Sequence, residues 1–558
     1  MTDEATAGPT GPSVSAGRRT RGASLVAAGI ALSRLSGLIR ERVIAQYLGV
    51  GPATDAFRAA MRIPNLLQNL LGEGVLSASF IPVQSRLVDE DPDRAGRTAG
   101  AVASLLTLLT GAVAVLAVLF ARPITVVLAP GFGGERLDLT VRLVRIITPG
   151  VGLLVLSAWC LGILNSHRRF FLSYVAPVLW NVAQITVLVT AGVRGWATDD
   201  LALALAWGTL VGGLLQLAVQ VPTVIRLSEG RLRFAPAWSA PDVAEVRRRF
   251  VPVVAGRGVV QLSAYVDLML ASLLATGAVA ALGFAQVLHL LPISLFGMSV
   301  AAAELPELSR LEAASPAAER VRTGLTRIAF FVVPTAVGYV LVGDLVVETL
   351  FGAGQFGRAE VVLVWAVTGA MALGLLAATA SRLLQSACYA AGDTAGPAAI
   401  AAGRVVIGIL VGVALMFPLD RVLIDAGGSI TGLRDMSPTL SPLAEATRSD
   451  PAGALRLGAV GLGLGAAVAA WVELALLRRR VRQRLGRLAV GGGRLATIAA
   501  GVGLATIAGT VARVGLDGAP AVVTLAGVGL AAAPVYVTWC ARRDLPDAVD
   551  LRNRVLRR

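Results

Sequence analysis

The chain contains few of the residues that most catalytic and metal sites use. Among its 558 residues there are three cysteines, two histidines and no lysine. Cys160, Cys388 and Cys540 lie far apart in hydrophobic segments, so they match neither a disulfide framework nor a metal-binding spacing. His167 and His289 are isolated, and no Ser/His/Asp set, P-loop or dinucleotide-binding glycine pattern occurs in a usable context. We therefore expect no catalytic residues, no metal site and no cofactor.

Charged residues are also scarce, and much of the sequence consists of long apolar runs. Only 15% of the residues are charged, 55% are hydrophobic, and the mean hydropathy is +0.73. A membrane-spanning helix needs roughly 20 apolar residues, and about fourteen segments between Leu25 and Cys540 meet this requirement. The runs are continuous rather than alternating, which predicts helices rather than a closed barrel. The predicted fold class is an all-α polytopic membrane protein with about 14 transmembrane helices.

The distribution of arginine predicts the orientation of the chain in the membrane. The formal net charge is +15, but the arginines cluster in alternate loops instead of forming one basic surface. The clusters lie at 168–169, 226–249, 310–327, 478–494 and 542–558. This asymmetry follows the positive-inside rule and predicts an even number of spans with both termini in the cytoplasm. It also argues against nucleic acid as a partner.

Composition divides the chain into five parts. They are a disordered cytoplasmic N-terminus (1–22), an N-terminal six-helix lobe (23–228), a C-terminal six-helix lobe (243–485) with an outer-loop insertion (418–452), two additional helices (492–541) and a basic cytoplasmic tail (542–558). The insertion is acidic and rich in Gly, Ser and Pro, which predicts a flexible loop. A short similarity between Phe80–Leu87 and Glu304–Leu311 indicates duplicated lobes, a common plan of transporters. Chance similarity of short strings is the alternative explanation.

Polar residues inside the first two apolar segments are the most informative feature. An arginine at mid-membrane costs about 2.5–3.5 kcal/mol on insertion scales, so such residues are expected to face a watery cavity or a partner. The first segment contains Arg34 and Arg40. The second contains Asp55, Arg58, Arg62, Asn65, Asn69 and Glu73. Their steps of three and four residues place them on one helical stripe, about 27 Å long at 1.5 Å per residue.

This stripe predicts an anion site, because the guanidinium fork matches the oxygens of phosphate. Phosphate or pyrophosphate is the natural cargo of such a site. The alternative is a polar seam between helices that binds no ligand. Pro64 lies in the middle of the stripe and should bend the helix, because it cannot donate the backbone hydrogen bond.

A second set of candidates lies in later spans. Asp267 in the seventh span is expected to need a partner, and we propose that it pairs with Arg404 or Arg257 as part of a gate. The alternatives are that Asp267 binds a cation or is protonated. The acidic run Asp89–Asp93 resembles the metal-binding carboxylates of glycosyltransferases, but its place in a short loop favours a solvated turn.

The chain contains a series of short strings between about Leu25 and Pro397. They include Ser33–Gly37 with Arg40, Ala53–Phe57, Pro64–Leu67, Gly72–Gly74, Phe80–Pro82, Ala129–Phe132, Phe351–Phe356 and Tyr389–Thr394. Together, and in this order, they resemble the MurJ/MviN family of lipid-linked precursor flippases, within the superfamily of polysaccharide and multidrug exporters. The resemblance implies two six-helix lobes around a central cationic cavity and two C-terminal helices that form a groove for a lipid tail.

The resemblance assigns functional weight to five residues: Arg34, Arg40, Asp55, Asn65 and Glu73. It also shows departures from the family pattern. Gln68 and Val287 occupy places where the family usually has arginine. Gly408 and Gly412 occupy places that often carry asparagine and a second polar residue, so a cation site there is not supported.

These features predict a transporter, and not an enzyme, in the bacterial cytoplasmic membrane. The expected function is translocation of undecaprenyl-pyrophosphate-linked peptidoglycan precursor, lipid II, by alternating access. The expected partners are this lipid-linked glycan, membrane lipid and proteins of peptidoglycan synthesis. Alternatives are a flippase for another polyprenyl-linked glycan, a drug exporter, a membrane-embedded polyprenyl-phosphate enzyme and a non-transporting envelope scaffold.

Overall fold

A computed structural model shows a helical protein and describes residues 14–298, 314–436, 438–450, 453–485 and 492–556. In the first half of the chain the helices are α1 (Val14–Leu48), α2 (Pro52–Ala60), α3 (Arg62–Leu71), α4 (Glu73–Ser79), α5 (Ile81–Glu90), α6 (Pro92–Leu119), α7 (Ala121–Leu128), α8 (Gly134–Ile147), α9 (Gly150–Ser166), α10 (Phe170–Val193), α11 (Thr198–Ser228), α12 (Pro241–Ser272) and α13 (Ala278–Pro292). A π-helical turn, Ile293–Met298, follows α13.

In the second half the helices are α14 (Ala314–Leu341), α15 (Gly343–Phe351), α16 (Arg358–Ala372), α17 (Leu375–Ala390), α18 (Ala395–Leu419), α19 (Glu445–Arg448), α20 (Gly458–Leu485), α21 (Gly492–Gly515), α22 (Ala521–Arg542) and α23 (Pro546–Leu556). The strands are β1 (Leu423–Ile424), β2 (Ile430–Thr431) and β3 (Leu455–Arg456). The predicted disordered N-terminus lies partly, and the repeat string Glu304–Leu311 wholly, outside the described residues.

Many of these helices are long and apolar enough to cross a membrane. Within the described residues there are ten such segments, or up to twelve if each of two bent pairs is one span. The bent pairs are Pro52–Ser79 with Ile81–Glu90 and Arg358–Ala372 with Leu375–Ala390, with bends of 40° and 43°. The all-α polytopic fold is confirmed, whereas the number of 14 spans stays a prediction.

The chain divides into two compact units. Among the described residues, the first unit comprises 14–44, 60–125 and 139–262, and the second comprises the rest. In the first unit α4, α5, α6 and α9 bury a core that includes Phe80 and Ile163. Helices α10 and α11 approach closely at Gly212, where a Cβ atom would lie 2.8 Å from the carbonyl oxygen of Trp180. This close contact fixes the position of Trp180 on α10.

In the second unit α18 and α20 approach so closely that glycine is required. A Cβ atom on Gly465 would lie 2.7 Å from the backbone nitrogen of Gly412. Small residues allow this close packing of helices in membranes. Gly412, one of the departures from the family pattern, therefore serves helix packing here. A second core joins α14 to α22, where the Tyr536 hydroxyl donates to the carbonyl oxygen of Phe330 at 2.7 Å.

The segment that follows α18 has more regular structure than its composition predicts. Strands β1, β2 and β3 form a small antiparallel sheet in the order β2-β1-β3. Asp420, at the start of this segment, is buried and accepts a hydrogen bond from the Ala275 backbone at 3.2 Å. Burial raises the pKa of Asp420 to about 6. Strand pairing and this buried carboxyl anchor a segment that we had expected to be a flexible insertion.

Candidate functional site

The polar stripe predicted for the second span is distributed over three helices. Asp55 and Arg58 lie on α2, Arg62, Asn65 and Asn69 lie on α3, and Glu73 begins α4. The first break falls at Met61, because Pro64 cannot donate a hydrogen bond to Ala60 and its ring displaces that carbonyl. The second falls at Gly72, whose backbone is not helical (φ −95°, ψ −144°). Asp55 and Arg58 lie in the second unit, whereas the other four residues of the stripe lie in the first.

The first unit contains a polar cavity of about 470 Å³. Five parts of the chain line it: α1, the α3–α4 region, α9, α10 and α11. Its polar lining consists of Ser33, Arg34, Arg40, Gln68, Glu73, Ser157, Ser173, Asn181, Gln216 and Gln220. Two guanidinium groups and one carboxylate give this lining a net positive charge. It therefore suits an anion that also carries hydrogen-bonding groups.

Helix α1 supplies the cationic side of the cavity through residues three and four positions apart. Ser33, Arg34, Gly37 and Arg40 all line the cavity, as expected for one face of a helix. At Gly37 a Cβ atom would reach only ordinary contact distance, 3.9 Å, from the side-chain nitrogen of Asn181. The structure therefore places the two arginines of the first segment in one polar cavity.

Arg40 is held by three neighbours. Its Nη1 donates to Oδ1 of Asn181 at 3.0 Å, and its Nη2 donates to Oε1 of Glu41 at 2.6 Å. Its guanidinium lies over the Trp180 ring, 5.0 Å from the ring centroid. Asn181 is oriented in turn by Ser36, to which its Nδ2 donates at 2.8 Å. Arg40 is thus fixed in orientation, while its Nε is buried without a hydrogen-bond partner among the described residues.

Asp55 lies in the second unit and caps the N-terminus of α13. Its two carboxylate oxygens accept hydrogen bonds from the backbone of Gly277 and Ala280, each at 2.7 Å. A carboxylate is favourable there because the first N–H groups of a helix have no internal partner and carry partial positive charge. Asp55 also forms an ion pair with Arg136 at 3.4 Å, and both side chains are buried. This residue therefore joins α2, α8 and α13 within one unit.

Arg58 also contacts α13 within the second unit. Its guanidinium lies 4.6 Å from the ring centroid of Phe284. Gly283 provides the space, since a Cβ atom there would lie 2.7 Å from Nε of Arg58. Among the described residues, neither Arg62 nor Asn65 lines the cavity of the first unit.

Arg404 on α18 forms an ion pair with a carboxylate that the sequence analysis did not identify. Its Nη1 lies 2.9 Å from Oε2 of Glu473 on α20, and Glu473 is buried. Gln385 donates to the other oxygen of this carboxylate at 2.9 Å. Asp267 is an exposed residue of α12, and its pairing with Arg404 stays a prediction. The side chain of Arg257 lies outside the described residues.

The family model described as "Lipid II flippase MurJ" matches residues 44–451. A relative named "Probable lipid II flippase MurJ" from Rhizobium tropici is 33% identical over 401 residues, which cover 69% of this chain and 73% of the relative. "Lipid II flippase MurJ" of Burkholderia cenocepacia is 32% identical over 387 residues, covering 67% of this chain and 74% of the relative. The chain belongs to the MurJ family. The resemblance seen in the sequence is therefore confirmed.

Solved structures agree with MurJ membership at the level of the fold. The structure titled "Lipid II flippase MurJ, inward closed conformation" aligns with a TM-score of 0.73 at 20% identity, covering 93% of this chain and 99% of that chain. An inward-facing multidrug transporter of the MATE family aligns with a TM-score of 0.59 at 15% identity, covering 82% of this chain and 95% of that chain. The chain thus shares its fold with MurJ and with MATE transporters.

Three cavity residues of this MurJ family member were missed by the sequence analysis. Gln216 and Gln220 are four residues apart on α11, and Ser157 on α9 lies between their amide groups. The spacing of two glutamines within an apolar span was the available signal. Glu41 was also missed, although it directly follows Arg40 in the sequence.

Proposed function

We propose that this chain moves lipid II from the inner to the outer leaflet of the bacterial cytoplasmic membrane by alternating access. The observation that carries the proposal is the cavity of the first unit, where Arg34 and Arg40 line a polar space inside a bundle of apolar helices. Arginine is costly in such a segment unless it faces water or a partner. A pyrophosphate group is a partner that fits the guanidinium fork.

In this proposal Arg34 and Arg40 bind the pyrophosphate, and Glu73 limits the positive charge of the cavity. Arg40 contributes orientation as well as charge, because Asn181 and Trp180 already hold its guanidinium. A donor that is fixed before binding loses less entropy when the anion arrives. Arg62 and Asn65, which do not line this cavity, contact the cargo at another stage of the cycle.

Asp55 and Arg58 take a different part in the cycle. Both residues contact the N-terminal region of α13, and in this proposal these contacts stabilise one state of the transporter. In the other state the contacts are broken and the first N–H groups of α13 are exposed. Alternating access requires that the two states have comparable energy. Arg404 with Glu473, and Asp267 with its partner, are candidates for a second charge-pair gate.

Complementation tests the proposal directly. A bacterium depleted of its own lipid II flippase receives the wild-type chain, Arg34→Ala or Arg40→Ala, with membrane insertion checked by immunoblot. We expect rescue by the wild type and loss of rescue by both variants. Arg42→Ala is the matched control, because Arg42 lies on α1 but is not part of the cavity lining. A wild-type protein that is correctly inserted and gives no rescue contradicts the proposal.

One observation favours a second candidate function, the transport of another polyprenyl-linked glycan. Gln68 lines the cavity at a place where the resemblance implies an arginine, so this cavity carries one positive charge fewer. The two candidates differ in cargo, and vesicles that contain either lipid distinguish them. Transport of the other lipid, together with no transport of lipid II, favours the second candidate.

The orientation and the protein partners complete the proposal. Both termini are placed in the cytoplasm, and proteins of peptidoglycan synthesis are the expected neighbours. Reporter fusions at each terminus test the orientation, because alkaline phosphatase is active only outside the cytoplasm. Phosphatase activity at either end contradicts it.

A further inference from the structure

A second polar surface lies in the cavity of the first unit, on the helices α9 and α11. It consists of Ser157, Gln216 and Gln220, and we call it the amide cluster. All three side chains are buried, with exposed fractions of 2%, 8% and 1%. No charged residue belongs to it. The cavity therefore has a cationic side on α1 and a neutral side on α9 and α11.

The hydrogen bonds of the amide cluster leave groups available for a ligand. Nε2 of Gln216 and Nε2 of Gln220 donate to the same oxygen, Oγ of Ser157, at 2.9 and 2.7 Å. Nε2 of Gln220 also donates to the backbone carbonyl of Gln216 at 3.2 Å. Because Ser157 accepts two hydrogen bonds, its own hydroxyl proton is left to donate. The carbonyl oxygen of Gln220 is buried and has no hydrogen-bond partner among the described residues.

A buried acceptor without a partner destabilises the empty site, so binding of a ligand that supplies a donor is favoured. The amide cluster offers two carbonyl acceptors and one hydroxyl donor. Sugar hydroxyls and the N–H of an acylamino group match this set, because a hydroxyl both donates and accepts. A pyrophosphate does not match it, since its oxygens only accept.

We propose that the amide cluster binds the neutral sugar that is joined to the pyrophosphate of the cargo, and that it determines specificity for glycan-bearing lipid. This inference rests on the proposed function, because it needs the pyrophosphate beside Arg34 and Arg40. The ring of Trp180, which also lines the cavity, adds a flat apolar surface 5.0 Å from the guanidinium of Arg40. The cluster thus discriminates between polyprenyl pyrophosphate with and without its sugar.

The test measures the affinity of the purified full-length protein in nanodiscs for two probes, lipid II and undecaprenyl pyrophosphate without sugar. We expect Gln220→Leu to weaken binding of lipid II about tenfold, equivalent to about 1.4 kcal/mol, and to leave binding of the bare pyrophosphate lipid unchanged. Ser157→Ala, a smaller change, should lower the affinity for lipid II in the same selective way. Arg40→Ala should weaken binding of both probes.

Gln184→Leu is the matched control. Gln184 is also a buried glutamine, 1% exposed, and one of its amide atoms, Nε2, has no hydrogen-bond partner among the described residues, but Gln184 is not part of the cavity lining. Equal loss of both probes in Gln220→Leu and Ser157→Ala, or no loss in either variant, overturns the amide-cluster proposal and leaves the proposed function intact. A wild-type protein that binds neither probe overturns the proposed function, and the amide-cluster proposal with it.

Discussion

Replacing Asp55 by alanine removes three interactions of one buried side chain. The carboxylate accepts hydrogen bonds from Gly277 and Ala280 at 2.7 Å and pairs with Arg136 at 3.4 Å. The Arg136 side chain is only 6% exposed, so the substitution leaves a buried positive charge without its carboxylate. Breaking a buried pair from one side typically costs about 3–5 kcal/mol. We expect Asp55→Ala to lose stability in this range.

A double-mutant cycle separates the ion pair from the helix cap. Arg136→Leu alone leaves the Asp55 charge buried beside α13, and the double variant Asp55→Ala/Arg136→Leu leaves neither charge. The double variant should therefore be more stable than the sum of the single losses predicts, by about 2 kcal/mol, which is within the usual range for residues in contact. Asp55→Asn retains one acceptor oxygen for the backbone of α13 and should lose less than Asp55→Ala.

The measurement is equilibrium unfolding of the full-length protein in mixed detergent micelles, followed by circular dichroism. Additive losses in the cycle, with a coupling free energy below about 0.5 kcal/mol, would refute the argument, because Asp55 and Arg136 would then contribute independently. Asp55→Ala with wild-type stability would refute both the ion pair and the cap.

Three further predictions concern the second unit. Arg404→Glu should destabilise the protein because it places two carboxylates together, and Glu473→Arg added to it should restore stability in the same unfolding assay; no recovery contradicts the pairing. The Asp420 pKa is raised from 3.8 to about 6, so the folded state holds this proton more tightly. Stability should fall by about 2 kcal/mol as pH rises from 4 to 6, and Asp420→Asn should remove this loss. Gly465→Val should separate α18 from α20 and lower the melting temperature; an unchanged value contradicts the close packing.

The all-α fold class and the polar surroundings of Arg34, Arg40 and Glu73 could be predicted from the sequence, because both follow from the free-energy cost of placing polar groups in a membrane. Long apolar runs allow few structures in a membrane, and an arginine within such a run must face something polar. Arg34, Arg40 and Glu73 do line one cavity. These conclusions needed only the hydropathy of a segment and the spacing of its polar residues.

The partners of those residues could not be predicted, because they come from distant parts of the chain. Asp55 pairs with Arg136 and caps α13, which begins more than 200 residues later. Periodicity placed Asp55 on the same stripe as Glu73, but the helix is interrupted at Met61 and Gly72, and the two residues belong to different units. A helical stripe predicts a common surface only while the helix is continuous.

The partner of Arg404 also could not be predicted from the sequence. Its expected partner was Asp267, a charged residue within an apolar span. Glu473 was not considered, because it lies near the end of an apolar segment that is followed by arginines. The close approach of α18 and α20 at Gly412 and Gly465 brings Arg404 and Glu473 together. The sequence evidence for this pairing was the spacing of glycines on both helices. Such spacing indicates close packing of two helices, but it does not identify the side chains that form contacts.

The geometry of Arg40 sets a condition on any anionic cargo. Glu41, which is adjacent in sequence and buried, already occupies one side of the guanidinium at 2.6 Å, so a phosphate must compete with it or bind the remaining donors. Within the part of the chain that the structure describes, Nε of Arg40 is buried without a hydrogen-bond partner, which leaves one donor that an anion could satisfy after a small displacement of the side chain. Binding of an anion at Nε would then weaken the ion pair between Arg40 and Glu41 on α1. If this contact differs between two states of the protein, the cargo binds the two states with different affinity, which is the requirement for a ligand to drive a conformational change.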